Sequence, residues 1–113
     1  MHELSATQRI VDIALEHARQ AGAARVLKIN LTLGELSGFS GESIRFCFDI
    51  LSRGTEAESA LLSISRKPVR ARCGECKDEF APSLTDWACP RCGGLMEEVV
   101  SGREFYVESI EIE

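Results

Sequence analysis

The residues of this chain whose types and spacing most clearly carry chemistry are two C-x-x-C pairs, Cys73 with Cys76 and Cys89 with Cys92. Each pair turns two thiols to one side, and the stretch between them is long enough for a short hairpin. Such a hairpin brings the pairs face to face around one tetrahedral ion. The second pair reads Cys89-Pro90-Arg91-Cys92-Gly93-Gly94, with a proline to stiffen the turn and glycines where the backbone must bend afterwards. The expectation is a structural Zn(2+) held by four thiolates. The competing readings are two disulfides, a rubredoxin-type iron centre and a thioredoxin-like redox pair. A redox pair does not need a second copy, and disulfides imply a secreted chain.

A second set of donors lies at the N-terminus, Met1-His2-Glu3. A terminal amine, the amide nitrogens after it and an imidazole form a compact nitrogen set suited to a square-planar or tetragonal ion, Ni(II) or Cu(II). The amine and the imidazole both exchange protons near neutrality, so protons compete with such a metal. The residues alone favour the simpler reading, in which a second-position histidine is a frayed, solvated side chain.

Catalytic groups are scarce. There is no Ser/His/Asp grouping and no glycine-rich phosphate loop after a strand, and the only other histidine, His17, falls on the wet side of a helix. Cys47 lies in an apolar helical stripe and reads as a buried, inert thiol. No enzyme is expected.

The chain has 113 residues and a formal net charge of −5, with five cysteines. Four thiolates and a dication bring the charge to about −7. Residues 1–65 carry six basic and eight acidic side chains, 66–103 seven and six, and 104–113 four acidic and none basic. An acidic chain is a poor phosphate binder. The locally positive strip Arg66, Lys67, Arg70 and Arg72 reads as a solvated, charge-guarded edge strand, with nucleic-acid contact as the alternative. The start of the chain has no basic region followed by an apolar core, and no apolar run approaches a membrane span. A cytoplasmic address is expected, with no membrane partner.

Elements must position these donors. Residues 3–21 read as an amphipathic helix with Leu4, Val11, Leu15 and Ala18 on one stripe, flanked by Ile10 and Ala14. Ser5 and Gln8 suggest a capping box, and Gly22 ends the helix. Residues 25–33 alternate as a strand, with Leu27, Ile29, Leu31 and Leu33 inward and Lys28, Asn30 and Thr32 outward. Ser40 can cap a second helix over 41–53 that buries Ile44, Cys47, Phe48 and Leu51, with Gly54 as its stop. A strand follows at 60–67 with Leu62 and Ile64 on one side. The last strand, 104–113, sets Tyr106, Ile110 and Ile112 against Phe105 and Val107. Between these strands, 68–101 is poor in large apolar residues (Val69, Phe80, Leu84, Trp87, Leu95, Met96 and two valines) and requires metal to fold. The architecture expected is α+β: two helices on a three-stranded sheet, residues 1–67 with 102–113, and an inserted zinc-ribbon lobe, 68–101.

These residues together resemble the HypA/HybF family of hydrogenase nickel-incorporation proteins. The resemblance spans nearly the whole chain. It rests on Met1-His2-Glu3, Gly34-Glu35-Leu36-Ser37-Gly38-Phe39, Glu42-Ser43-Ile44-Arg45-Phe46-Cys47-Phe48, Gly54-Thr55, the paired cysteines and Ser109-Ile110-Glu111-Ile112. It implies a nickel metallochaperone that binds Ni(2+) through Met1, His2 and Glu3. Such a protein passes the ion, with a companion GTPase, to the large subunit of a [NiFe]-hydrogenase, and in some organisms serves urease. It also implies structural zinc on Cys73, Cys76, Cys89 and Cys92. Some members carry a carboxylate ligand in the loop before the second helix; Ser40 stands there, with Glu35 and Glu42 nearby. Neither C-x-x-C is followed by His, since Lys77 and Gly93 occupy those places, so the zinc site is expected to stay all-sulfur. A monomer or homodimer fits. The rival functions are a zinc-ribbon module for nucleic acid or a protein surface, and an iron redox protein.

Overall fold

A computed structural model of the chain describes residues 2–83 and 86–113, so Met1 and Leu84 lie outside the described residues. Elements follow in the order α1 (His2–Gln20), β1 (Val26–Gly34), α2 (Gly41–Leu51), β2 (Leu61–Lys67), β3 (Arg70–Cys73), β4 (Glu79–Phe80), β5 (Met96–Ser101) and β6 (Phe105–Ile112). They build two three-stranded sheets, ordered β2-β1-β6 and β4-β3-β5. The fold is α+β, two helices on a small sheet with a ribbon inserted between β2 and β6. The molecule is elongated, 55 × 27 × 17 Å.

Helix α1 buries Thr7, Ile10, Val11, Ala14, Leu15 and Ala18. Leu4 does not join that stripe; it is 45% exposed, because the helix begins beyond the edge of the core. Thr7 takes the inward place instead, its hydroxyl donating to the Glu3 carbonyl at 2.6 Å. Ser5 and Gln8 form no capping box. The helix already starts at His2, the Ser5 hydroxyl donates to the His2 carbonyl, and Gln8 reaches forward to Asp12. Gly22, at φ +67, closes the C-terminus in a Schellman arrangement: Ala23 donates to the Ala18 carbonyl at 2.9 Å and Gly22 to Arg19 at 3.1 Å.

Strand β1 is central. It pairs in parallel with β2 and antiparallel with β6. Two irregularities in the β1–β6 register, between Val26 and Lys28 and between Asn30 and Leu31, change which side chains face the helices. The first turns Val26 inward and leaves Leu27 38% exposed. The second inserts an extra residue in β6 between the partners of Asn30 and Leu31. Phe105, Val107, Ile110 and Ile112 therefore all pack on the core, and Tyr106 is 47% exposed, which corrects the simple alternation expected for this strand. Thr32, expected to face water, is buried with its hydroxyl on Glu108.

Ser40 caps α2, accepting from the Ser43 amide at 3.2 Å. The helix buries Ile44 and Phe48; Cys47 and Leu51 are only half-buried. It stops at Leu51 with Ser52 as its cap, two residues before Gly54.

The two sheets meet at a braced junction. The Gly34 amide donates to the Glu104 carbonyl at 2.7 Å, Glu35 to Lys67 at 3.0 Å and Leu36 to Gly102 at 2.6 Å. The Glu35 carboxylate accepts the Val69 amide at 2.8 Å, and Phe39 packs on Phe105 with ring centroids 4.7 Å apart. The backbones approach so closely that a Cβ on Gly34 would lie 2.1 Å from the Gly102 carbonyl oxygen.

The second sheet changes the reading of the basic strip. Strand β3, which carries Arg70 and Arg72, is the central strand rather than an edge. Both arginines face Glu79, and Arg72 also pairs with Glu98. Arg70 and Arg72 are thus neutralised from both neighbouring strands, whereas Arg66 and Lys67 end β2, which is an edge strand of the first sheet as expected.

Candidate metal sites

The ribbon brings all four expected cysteines together. Among the described residues their sulfurs form the one group of potential metal ligands, each within 4.8 Å of the others. Cys73 Sγ lies 3.4 Å from Cys92 Sγ, and Cys76 Sγ lies 3.8 Å from Cys89 Sγ. A zinc ion with ~2.3 Å bonds in a regular tetrahedron requires sulfurs about 3.8 Å apart, so the donor set fits zinc in type, number and spacing. Cys73 and Cys89 are buried and Cys76 and Cys92 lie at the surface. A small core of Ala71, Phe80 and half-buried Trp87 backs the two inner cysteines.

Local backbone geometry explains the clustering. In each pair the residue after the second cysteine adopts a left-handed conformation, Lys77 at φ 66 and Gly93 at φ 74. Its amide folds back on the carbonyl of the first cysteine, at 3.1 Å for Lys77 to Cys73 and 2.8 Å for Gly93 to Cys89. Amides also point at sulfur, Glu75 to Cys73 and Gly94 to Cys92. Gly94 has a further constraint: a Cβ there would lie 3.0 Å from Cys73 Sγ and 2.5 Å from the Glu75 side chain. The Gly-Gly doublet after Cys92 is the sequence signal for this close approach. Lys77 in the left-handed region carries no such signal; its ammonium pairs with Glu97 at 2.8 Å.

The thiols are electrostatically unequal. The Cys76 amide, then the Glu75 amide and the neighbouring thiols, outweigh burial and bring Cys73 down to about 7. At Cys92 the Gly94 amide favours the thiolate, but hydrogen bonding to Cys73, burial and the other two thiols outweigh it and push the group up to about 12. Cys76 is raised, its Asp78 amide and Cys92 contacts overcome by burial and by hydrogen bonding to Cys73 and Cys89. One sulfur thus takes the negative charge readily while others keep their protons. A dication at the centre reverses that ordering by stabilising all four thiolates together.

At the other end of the chain, His2 is an exposed first residue of α1 and Glu3 is half-buried one residue on. Met1 lies outside the described residues. The amides of a first helical turn have no acceptor within their own helix. Glu3 and Leu4 share an open hollow of about 430 Å³ with Glu42, Ser43, Phe46 and Cys47 on α2. Cys47 therefore lines a surface hollow rather than sitting inert in the core. The two carboxylates considered near Ser40 separate clearly. Glu35 is engaged with the Val69 amide at the junction, whereas Glu42 faces the hollow beside Glu3. Ser40 itself is occupied as the α2 cap. His17 is exposed on the far face of α1, as its position in the periodicity predicts.

The fold and the tetrathiolate centre define a class: a small α+β protein carrying an inserted zinc-ribbon-like lobe. Comparison with known proteins gives the particular family. The sequence signature for hydrogenase/urease nickel incorporation, metallochaperone, hypA matches residues 1–112. The chain is 41% identical over 113 residues to a hydrogenase maturation factor HypA of Dehalococcoides mccartyi, covering all of this chain and 95% of that one. It is 42% identical over 112 residues to the HypA of Geotalea daltonii, covering 99% of each. The chain belongs to the HypA family, whose members are nickel metallochaperones and maturation factors rather than enzymes. Two solved structures share its fold. The solution structure of the Ni metallochaperone HypA from Helicobacter pylori has a TM-score of 0.67 at 22% identity, covering 97% of this chain and 96% of that one. A second HypA solution structure has a TM-score of 0.76 at 23% identity, covering 100% and 97%. Among the described residues no helix is long and apolar enough to cross a membrane.

Proposed function

We propose that this chain accepts Ni(II) at Met1, His2 and Glu3 and delivers it, with a companion GTPase, to the large subunit of a [NiFe]-hydrogenase in the cytoplasm, with urease as a further recipient. The observation that carries the reading is His2, exposed as the first residue of α1 in a chain of the HypA family. The imidazole, the terminal amine and the first-turn amides offer nitrogen donors that need little rearrangement to release an ion. Glu42, across the hollow from Glu3, is the nearby carboxylate left for an additional contact. Residues 1–67 with 102–113 form the nickel-handling unit. Residues 68–101 form the ribbon, in which Cys73, Cys76, Cys89 and Cys92 hold structural Zn(2+). Four sulfurs fill zinc's coordination, so the ribbon serves as scaffold.

The test is calorimetric titration of Ni(II) into untagged protein, protein with an N-terminal extension and His2→Ala, each preloaded with zinc. One site is expected in the untagged protein and none in the other two. Equal nickel affinity in all three would remove the N-terminal site.

A further inference from the structure

The grip of the core on α1 begins at one residue. Of the positions that α1 buries, Thr7 comes first, followed by Ile10, Val11, Ala14, Leu15 and Ala18. Before it, His2, Leu4 and Ser5 are exposed, and Glu3 is half-buried at an open hollow. The donors on His2 and Glu3 therefore lie in a turn that hydrophobic burial does not fix. Helix ends fray unless something ties them down.

Thr7 is fully buried, at 0% exposure, and its hydroxyl donates to the Glu3 carbonyl one turn back at 2.6 Å. Among the described residues the other buried polar side chains are Thr32, which holds Glu108, and Ser52, which closes α2. A hydroxyl in a core is destabilising unless it is bonded, and an apolar residue of the same shape would pack there without that demand. What Thr7 adds over valine is a further hold on Glu3, beside the helical amide that its carbonyl accepts in any case. Ser5 makes a similar contact to the His2 carbonyl at 3.2 Å, but in the open, where water competes for it. Shielded from solvent, the Thr7 bond is the stronger of the two.

We propose that Thr7 is a positioning residue for nickel: its hydroxyl ties Glu3, and with it the His2 backbone, to the core, so that the first turn of α1 stays wound and its donors stand in place before the ion arrives. This role rests on the reading above, in which Ni(II) binds at Met1, His2 and Glu3. A donor set ordered in advance loses less freedom on binding, so the tie is read out as affinity. One hydrogen bond of this kind corresponds to roughly a three- to tenfold change.

The test separates hydroxyl from methyl. Thr7→Val keeps the shape and removes the hydroxyl, whereas Thr7→Ser keeps the hydroxyl and leaves a small gap in the core. Both are prepared untagged and zinc-loaded, beside the parent and His2→Ala. Thermal unfolding, calorimetric titration with nickel sulfate, and the amide heteronuclear NOE of Glu3 and Leu4 before nickel is added are measured on each. Thr7→Val is expected to melt within ~3 °C of the parent, to lose order at Glu3 and Leu4, and to bind nickel about three- to tenfold more weakly. Thr7→Ser is expected to melt roughly 4–6 °C lower and to bind nickel as the parent does. A residue that mattered only for packing would give the reverse pattern. Where the parent binds nickel and His2→Ala does not, unchanged or tighter binding by Thr7→Val would overturn the proposal. So would an equally ordered first turn in that variant, or weakening by Thr7→Ser to the same degree. Equal binding by the parent and His2→Ala would instead remove the terminal site itself, and the role of Thr7 with it.

Discussion

Substitution of Gly34 by alanine tests whether the junction between the sheets is as tightly closed as its hydrogen bonds imply. The added Cβ would stand 2.1 Å from the Gly102 oxygen, 2.3 Å from the Gly102 carbonyl carbon and 2.7 Å from the Glu104 nitrogen. All three are backbone atoms, so no side-chain rotation can relieve the overlap, and β1 must separate from the 102–104 segment. That separation breaks the Gly34-to-Glu104 and Leu36-to-Gly102 hydrogen bonds. Two backbone bonds lost at the junction, that of Gly34 buried, cost about 3 kcal/mol. The stiffer unfolded chain returns up to ~1 kcal/mol, because alanine restricts it more than glycine. The net loss of about 2 kcal/mol corresponds to a fall in Tm of roughly 10 °C for a domain of this size. Thermal unfolding of zinc-loaded Gly34→Ala, followed by far-ultraviolet circular dichroism beside the parent, measures this directly. Zinc content by elemental analysis should stay at one per chain, because the substitution lies outside the cysteine cluster. A Tm within ~2 °C of the parent would refute the junction argument.

Other expectations follow from the cysteines. Cys92 lies at about 12 and Cys76 above its ordinary value, so zinc loading at pH 8 must displace at least two protons, and affinity falls as pH falls. Calorimetry in buffers of differing ionisation enthalpy counts those protons; a value near zero would contradict the charge state assigned to the metal-free thiols. In zinc-loaded protein a thiol reagent should modify Cys47 alone, whereas chelation in denaturant exposes all five cysteines. More than one fast-reacting thiol before chelation would argue against a filled four-sulfur site. Gly93→Val, a β-branched residue at φ 74, should cost about 1–2 kcal/mol and speed zinc loss to a competing chelator, while Lys77→Gly should leave zinc retention unchanged. Equal retention by Gly93→Val would show that the second turn does not depend on its left-handed residue.

The elements and the cysteine cluster were legible because periodicity and spacing are local properties. Hydrophobic repeats outline α1, α2 and three strands of the first sheet, and two C-x-x-C pairs with a hairpin between them define their own meeting point. What sequence could not express was phase. The extra residue in β6 flips the strand's alternation midway, so a strict period of two puts Tyr106 on the wrong face. Leu27 fails for the same reason at the start of β1. The strip from Arg66 to Arg72 divides: Arg66 and Lys67 do end an edge strand, yet Arg70 and Arg72 lie on β3, which is flanked on both sides by strands carrying glutamates. The hollow beside Glu3 was invisible as well, because it needs α1 and α2 side by side, and no pattern within either helix encodes that. Glu35 illustrates the same limit, since its carboxylate is engaged by an amide 34 residues further on.

The attachment of the ribbon carries a consequence for the sheet it interrupts. The ribbon leaves from β2 and returns into β6, the two strands that flank β1, so β6 can dock only after everything between has been brought back across one strand's width. Without metal that stretch would have little apolar core to hold it together, and closing a loop of its length costs about 4 kcal/mol in chain entropy. A zinc ion that folds the stretch holds its two ends together beforehand. Although it touches only sulfur at one end of the molecule, the ion shortens the search that the last strand must make to find β1. Chelation should then loosen β6 before it disturbs the β1–β2 pair.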